Sequence, residues 1–132
     1  MKKKAPWLQY YNGIRHSLDY PDCTMYEAVL KIAREYPDYT ALIFMGKSVS
    51  YKEMVKRIDS VRVMLENLGV TAGDRIAVCL PNIPQAVYLL YAADSMGAIV
   101  SFLHPLSAVG EYVNYIKELD AEYIFALDIP LE

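Results

Sequence analysis

A chain of 132 residues with 55% hydrophobic and 22% charged side chains carries enough apolar material for one packed domain and excludes general disorder. Thirteen Lys and Arg against sixteen Asp and Glu leave a net charge of −3, which argues against nucleic acid as the main partner. The two cysteines, Cys23 and Cys79, form no CxxC and have no histidine at ligand spacing, so a disulfide scaffold and a structural zinc site are poor readings, and a reducing, cytoplasmic setting suits the pattern.

Lys2, Lys3 and Lys4 read as a solvated tail, and they lead into Ala5, Pro6 and Trp7 rather than into the apolar core of a signal peptide. Residues 1–23 have no periodicity, and Pro6, Gly13 and Pro21 punctuate Trp7, Tyr10, Tyr11 and Tyr20. The expectation is an arm held across a surface by its rings. Thr24-Met25-Tyr26-Glu27 matches a capping box, and Val29, Ile32, Ala33 and Tyr36 follow at helical spacing, so a helix is expected from Met25 to Tyr36 before Pro37. Ala41–Met45 reads as a strand, Gly46-Lys47 as a tight turn and Ser48–Ser50 as the returning strand. Ser50-Tyr51-Lys52-Glu53 is a second capping box. Met54, Ile58, Val61, Leu65 and Leu68 then line one helix face, and Gly69 stands at the C-cap.

Arg75–Leu80 is a continuous apolar strand after the Gly73-Asp74 turn, and Pro81-Asn82-Ile83-Pro84 turns the chain into a helix over Gln85–Met96 that Gly97 can cap. Ala98–Leu103 is expected as another buried strand, stopped by His104-Pro105. The stretch Ile83–Leu103 is not read as a membrane span, because Asp94 at mid-bilayer would cost roughly 2.5–3.5 kcal/mol and Asp94–Gly97 splits it into helix and strand. A helix near Ser107–Asp120 and a strand over Glu122–Leu127 complete a β-α-β-α-β order. The fold class is therefore α/β: a parallel, flavodoxin-like sheet with right-handed crossovers, preceded by an arm, a helix and a short β-hairpin. Leu131-Glu132 resembles what a cloning site leaves before a tag.

Ligands of such a sheet sit at the carboxyl ends of its strands, here Leu80-Pro81-Asn82, Leu103-His104-Pro105 and Leu127-Asp128. None of these offers GxGxxG, a P-loop, GxSxG or HExxH, and the six glycines are too dispersed to cradle phosphate. His104 can be an acid–base group, though a loop histidine bonded to backbone is the preferred reading; His16 is a surface or structural residue. Asp74 reads as a turn former, Asn82 as the cap of the following helix or a crevice group, and Cys79 as an inert small hydrophobe. The twelve tyrosines read as core or rim, and no nucleophile, base and orienting group assemble.

The order of motifs nevertheless resembles a family. Ser50-Tyr51-Lys52-Glu53-Met54 is similar to the "TYxEL" motif of AMP-forming acyl-CoA synthetases and adenylating ligases. Leu68-Gly69-Val70 with Gly73-Asp74-Arg75-Ile76-Ala77-Val78 resembles "LGV…GDRVAI", Leu80-Pro81-Asn82 resembles "LPN", and Asp94–Pro105 is similar to "LKAGAVYVPLNP". Ser101-Phe102-Leu103-His104 departs from "VPLN", which removes any assigned role for that loop. Tyr20-Pro21-Asp22 and the Trp7 arm look most like bacterial long-chain fatty acid–CoA ligases.

The resemblance implies activation of a fatty acid or other carboxylate by ATP, with Mg2+, to an acyl-adenylate, followed by transfer to CoA. It also implies that the phosphate loop, the nucleotide-binding segments and the C-terminal lysine domain lie further along the polypeptide. Ser50, Tyr51, Glu53, Gly73, Asp74, Arg75, Pro81, Asn82, Gly97 and Pro105 are then scaffold, with no catalytic, cofactor or metal role. Residues 24–132 are expected to be the N-terminal α/β portion of such an enzyme, inactive alone. A free-standing flavodoxin-like binding module is the alternative. Partner expectations are a carboxylate substrate of the parent enzyme, no nucleic acid, no transmembrane segment, peripheral membrane contact, and self-association or a homodimer through bared sheet or the helix Gln85–Met96.

Overall fold

The computed structural model describes residues 5–127; the Lys2–Lys4 tail, Asp128 and the Leu131-Glu132 pair lie outside them. Helix α1 (Met25–Glu35) begins with the expected capping box: Thr24 Oγ1 accepts from Glu27 N at 3.1 Å and Glu27 Oε2 accepts from Thr24 N at 2.8 Å. Strands β1 (Thr40–Phe44) and β2 (Lys47–Ser50) form the antiparallel hairpin. Its turn is Met45-Gly46, not Gly46-Lys47, because Phe44 pairs with Lys47 and both turn residues take positive φ, 48° and 78°.

Helix α2 (Tyr51–Asn67) follows at once. Its second capping box is only half formed. Ser50 Oγ accepts from Glu53 N at 3.2 Å, but Ser50 is also the last residue of β2, opposite Thr40, and the Glu53 carboxylate instead pairs with Arg57 at 3.1 Å. Val70 N donates to Leu65 O across Gly69 and closes the helix as expected.

Strands β3 (Arg75–Cys79), β4 (Ile99–Phe102) and β5 (Tyr123–Ala126) make a parallel sheet in the order β4-β3-β5. Helices α3 (Pro84–Met96) and α4 (Val109–Leu119) are the crossovers. Ile76, Val78, Val100, Tyr123 and Phe125 share one face in register and pack with Met54, Ile58 and Leu65 of α2 and Leu89, Ala92 and Ala93 of α3. In the central strand Ile76, Ala77 and Val78 are 0% exposed.

Three expectations are corrected. Strand β4 is not the buried strand expected: Ile99 is 52% exposed, because the strand pairs on one side only and α4 contributes no buried residue, and Ile124 of β5 is equally open. Helix α3 has one buried face, formed by Ala86, Tyr88, Leu89, Ala92 and Ala93, and a half-buried outer side. The arm is not wholly irregular: Pro6–Tyr10 forms a short 3-10 helix, and the rings of Trp7, Tyr10 and Tyr20 face solvent, since the core cluster reaches no earlier than Tyr26.

Stability should therefore reside in α2, α3 and β3. Leu65→Ala is expected to cost about 2–5 kcal/mol in urea unfolding, whereas Val109→Ala on the open side of α4 should change it by less than about 0.5 kcal/mol.

Candidate functional site

The motif residues fall in three places and do not converge. At the amino end of the sheet, Gly73 N donates to Gly97 O at 2.9 Å and Ile99 N to Asp74 O at 2.8 Å. Asp74 is the expected turn former, its Oδ2 accepting from Thr71 N at 2.7 Å and Thr71 Oγ1 at 3.1 Å. Gly97 caps α3 at φ 75°, and a Cβ there would lie 3.3 Å from the Ala72 methyl, so this position needs glycine for both backbone and space. Arg75 is a clasp. Its guanidinium donates to the Asp120 carbonyl and carboxylate at 3.0 and 2.5 Å, while its amide donates to Glu122 Oε2 at 2.7 Å, fixing the α4–β5 turn to the start of β3.

The hairpin and the start of α2 hold Ser50, Tyr51 and Glu53. Tyr51 packs against the core, and Tyr51 N and Lys52 N donate to Tyr39 O and Pro37 O.

The carboxyl end of the sheet holds Pro81, Asn82 and Pro105, and here an apolar groove of about 310 Å3 opens between the hairpin and the start of α3. Leu42, Ile43, Phe44, Ile83, Val87 and Phe102 form much of its wall, and Asn82 is its one polar side chain. The expectation that Asn82 caps α3 is corrected: Ile83 is the N-cap, no side chain bonds there, and Asn82 faces the groove. Pro84 occupies the first turn as expected, where a missing amide costs nothing. His104 follows the preferred reading of a loop residue: its Nδ1 accepts from Leu106 N at 3.2 Å, and its carbonyl accepts from Tyr112 Oη at 2.6 Å.

Sequence reasoning missed a polar network linking three helices. Asp94 Oδ2 accepts from Tyr26 N at 2.8 Å in the first turn of α1, where a carboxylate also favours the helix dipole. Tyr26 Oη donates to Asp59 at 2.9 Å. Burial first, then this hydrogen bond and the negative charge of Asp59, push the Tyr26 phenol up to about 12. The missed signal was Asp94 itself, a lone carboxylate in an apolar helix, which demands a partner. Burial likewise raises the Cys79 thiol, in keeping with an inert residue.

Among the described residues no group of three His, Cys, Asp or Glu could hold a metal ion, and no serine or cysteine side chain bonds to a histidine or carboxylate. An apolar groove with one amide does not fit a nucleotide triphosphate and its Mg2+. The arrangement is a scaffold end with an apolar recess.

A parallel α/β scaffold of this kind has known counterparts. The family model described as AMP-binding enzyme matches residues 29–131, so the chain belongs to that family. The long-chain-fatty-acid–CoA ligase of Bacillus subtilis is 32% identical over 130 residues, covering 98% of this chain and 23% of that protein. The acetyl-coenzyme A synthetase of Dictyostelium discoideum is 27% identical over 143 residues, covering 96% and 21%. Among solved structures, an artificially fused adenylation–PCP di-domain, NpsA-ThdA of Klebsiella oxytoca, superposes with a TM-score of 0.79 at 21% identity, over 83% of this chain and 21% of that one. VinN gives 0.79 at 25% identity, over 85% and 28%. The chain thus spans under a quarter of the length of these two curated relatives.

The Tyr26 network makes a pH prediction. A phenol held neutral in the fold contributes stability that is complete below its unfolded value of about 10 and is lost as pH rises towards about 12. Tyr26→Phe should therefore lower the urea midpoint at neutral pH and flatten the fall between about pH 10 and 12 relative to the parent chain. Superimposable alkaline profiles for the two would contradict the network.

Proposed function

We propose that this chain is the N-terminal scaffold of an AMP-forming acyl-CoA synthetase acting on fatty acids, and that it has no adenylating activity by itself. The whole protein would couple a carboxylate to the α-phosphorus of ATP with release of pyrophosphate. It would then pass the acyl group to the CoA thiol with release of AMP, using Mg2+. The observation that carries this reading is the 32% identity to a long-chain-fatty-acid–CoA ligase along 98% of the chain, arm included.

The proposed inactivity rests on chemistry. Adenylation places extra negative charge on phosphate in the transition state, and stabilising it takes cations and aimed amides. The carboxyl-end recess offers apolar side chains and Asn82. The motif residues at the amino end are engaged with one another: Arg75 with Asp120 and Glu122, and Gly73 with Gly97. The resemblance puts the missing groups further along the polypeptide.

A reducing compartment, the cytoplasm, is part of the proposal and is supported by two unpaired cysteines, one exposed and one buried. Among the described residues no helix is long and apolar enough to cross a membrane.

The test is ATP–pyrophosphate exchange with a series of fatty acids and acetate. The 132-residue chain should give none, and a protein extended by the downstream coding sequence should give exchange that prefers longer acids. Exchange by the short chain, or an extended protein that prefers acetate, would contradict the corresponding half of the proposal.

A further inference from the structure

We propose that α1 is a hinged strap: it opens from α2 and α3 as a unit about the Tyr36–Pro37 junction, while the sheet and the two helices beneath it stay folded. Every group of this joint lies in the 132-residue chain, and the inference does not rest on adenylation chemistry.

Three observations carry it. The first is that the polar attachment of α1 runs through one residue. Tyr26 N donates to Asp94 Oδ2 of α3 at 2.8 Å, and Tyr26 Oη donates to Asp59 Oδ1 of α2 at 2.9 Å. Among the described residues α1 makes no other hydrogen bond to another helix or to a strand. Tyr26 and Val29 bring α1 onto the core cluster, whose buried members belong to α2, β3, α3 and Val70.

The second is that the chain is fastened again just past α1. Tyr36 leaves the helical conformation at φ −131° and ψ 59°, as a residue ahead of proline does. Pro37 O and Tyr39 O then accept from Lys52 N and Tyr51 N, first-turn amides of α2 that no carbonyl of that helix can reach. Residues 37–39 therefore stay with α2 when α1 leaves. On the other side the bonds of the arm close within it, as in Leu8 N to Ala5 O, Tyr11 N to Leu8 O and Ile14 N to Tyr11 O, so the arm travels with α1.

The third is that opening strands no polar group. Helix α1 keeps both halves of the Thr24–Glu27 box and its closing bond from Tyr36 N to Ile32 O at 2.8 Å, while Tyr26, Asp59 and Asp94 all regain water. Opening thus costs two hydrogen bonds and the contacts of two side chains, whereas global unfolding gives up the whole core. Once detached, a helix of 11 residues is marginal in water, so its amides exchange.

Native-state hydrogen exchange of the 132-residue chain in low urea, read by NMR, tests the strap. After correction for intrinsic rates, the amides of Val29–Glu35 should exchange at least about tenfold faster than those of Ala77 and Val78, with a shallower urea dependence because little surface opens.

Two variants separate a strap from a merely stabilising contact. Ile76→Val weakens the core alone, so exchange at Ala77 and Val78 should rise about fivefold while the α1 amides stay unmoved. Tyr26→Phe keeps the ring and removes the Asp59 bond from the closed state, so both sets should rise together, by about tenfold. Three results would overturn the proposal: α1 and β3 sharing one protection and one urea slope, Ile76→Val accelerating α1 as much as β3, or Tyr26→Phe leaving α1 exchange unaltered.

Discussion

Strand β3 must be covered on both faces and both edges, and most of the structure follows from that demand. Ile76, Ala77 and Val78 have no access to water, so each needs apolar neighbours on its side of the sheet and partners for its backbone. Helices α2 and α3 supply one face, while β4 and β5 supply the two edges. The polar ties sit where this sandwich could slide. Arg75 fastens the start of β3 to the α4–β5 turn, and Tyr26, Asp59 and Asp94 fasten α1 to α2 and α3. The Tyr26 ties are partly buried and so less screened than a surface pair, while the Arg75 clasp is exposed and gains its directionality from two guanidinium hydrogen bonds to one residue.

Elements governed by local chemistry were legible in the sequence. The Thr24–Glu27 box, the apolar stripe of α2 from Met54 to Leu65, Pro84 in the first turn of α3 and Gly97 at its end are contacts within a few residues and stand where the pattern puts them, whereas Leu68, expected on the same stripe, is the C-cap and 54% exposed. The parallel sheet followed from the strand–helix alternation.

What could not be read depended on partners distant in sequence. Asp94 and Tyr26 are 68 positions apart, and nothing in either segment names the other. Glu53 had two acceptable partners, Ser50 and Arg57, and β2 had already engaged Ser50. The one-residue error at the Met45-Gly46 turn arose because Met at positive φ is unfavourable by propensity, and the register of the hairpin overrode that preference. The half-open face of β4 was misjudged because an apolar run reveals that a strand can be covered, not that a cover is present. As for the site, the Asp74 turn and the Gly97 cap were legible from local pattern, whereas the groove beside Asn82 arises from β1, α3 and β4 meeting in space.

The family motifs in this chain thus have structural employment. Gly73, Asp74, Arg75 and Gly97 build the amino end of the sheet, Ser50 and Tyr51 join hairpin to helix, and Pro81 and Pro105 turn the chain at the carboxyl end. A family can therefore be recognised from residues that hold its frame together, because packing and turn geometry constrain sequence too. The account's central claim is that this chain is frame alone. Titration of the isotopically labelled 132-residue chain with ATP and Mg2+, followed by amide chemical shifts, tests it most directly. The account predicts no saturable shifts, while saturable shifts clustered around Asn82 and His104 at the carboxyl end of the sheet would contradict it.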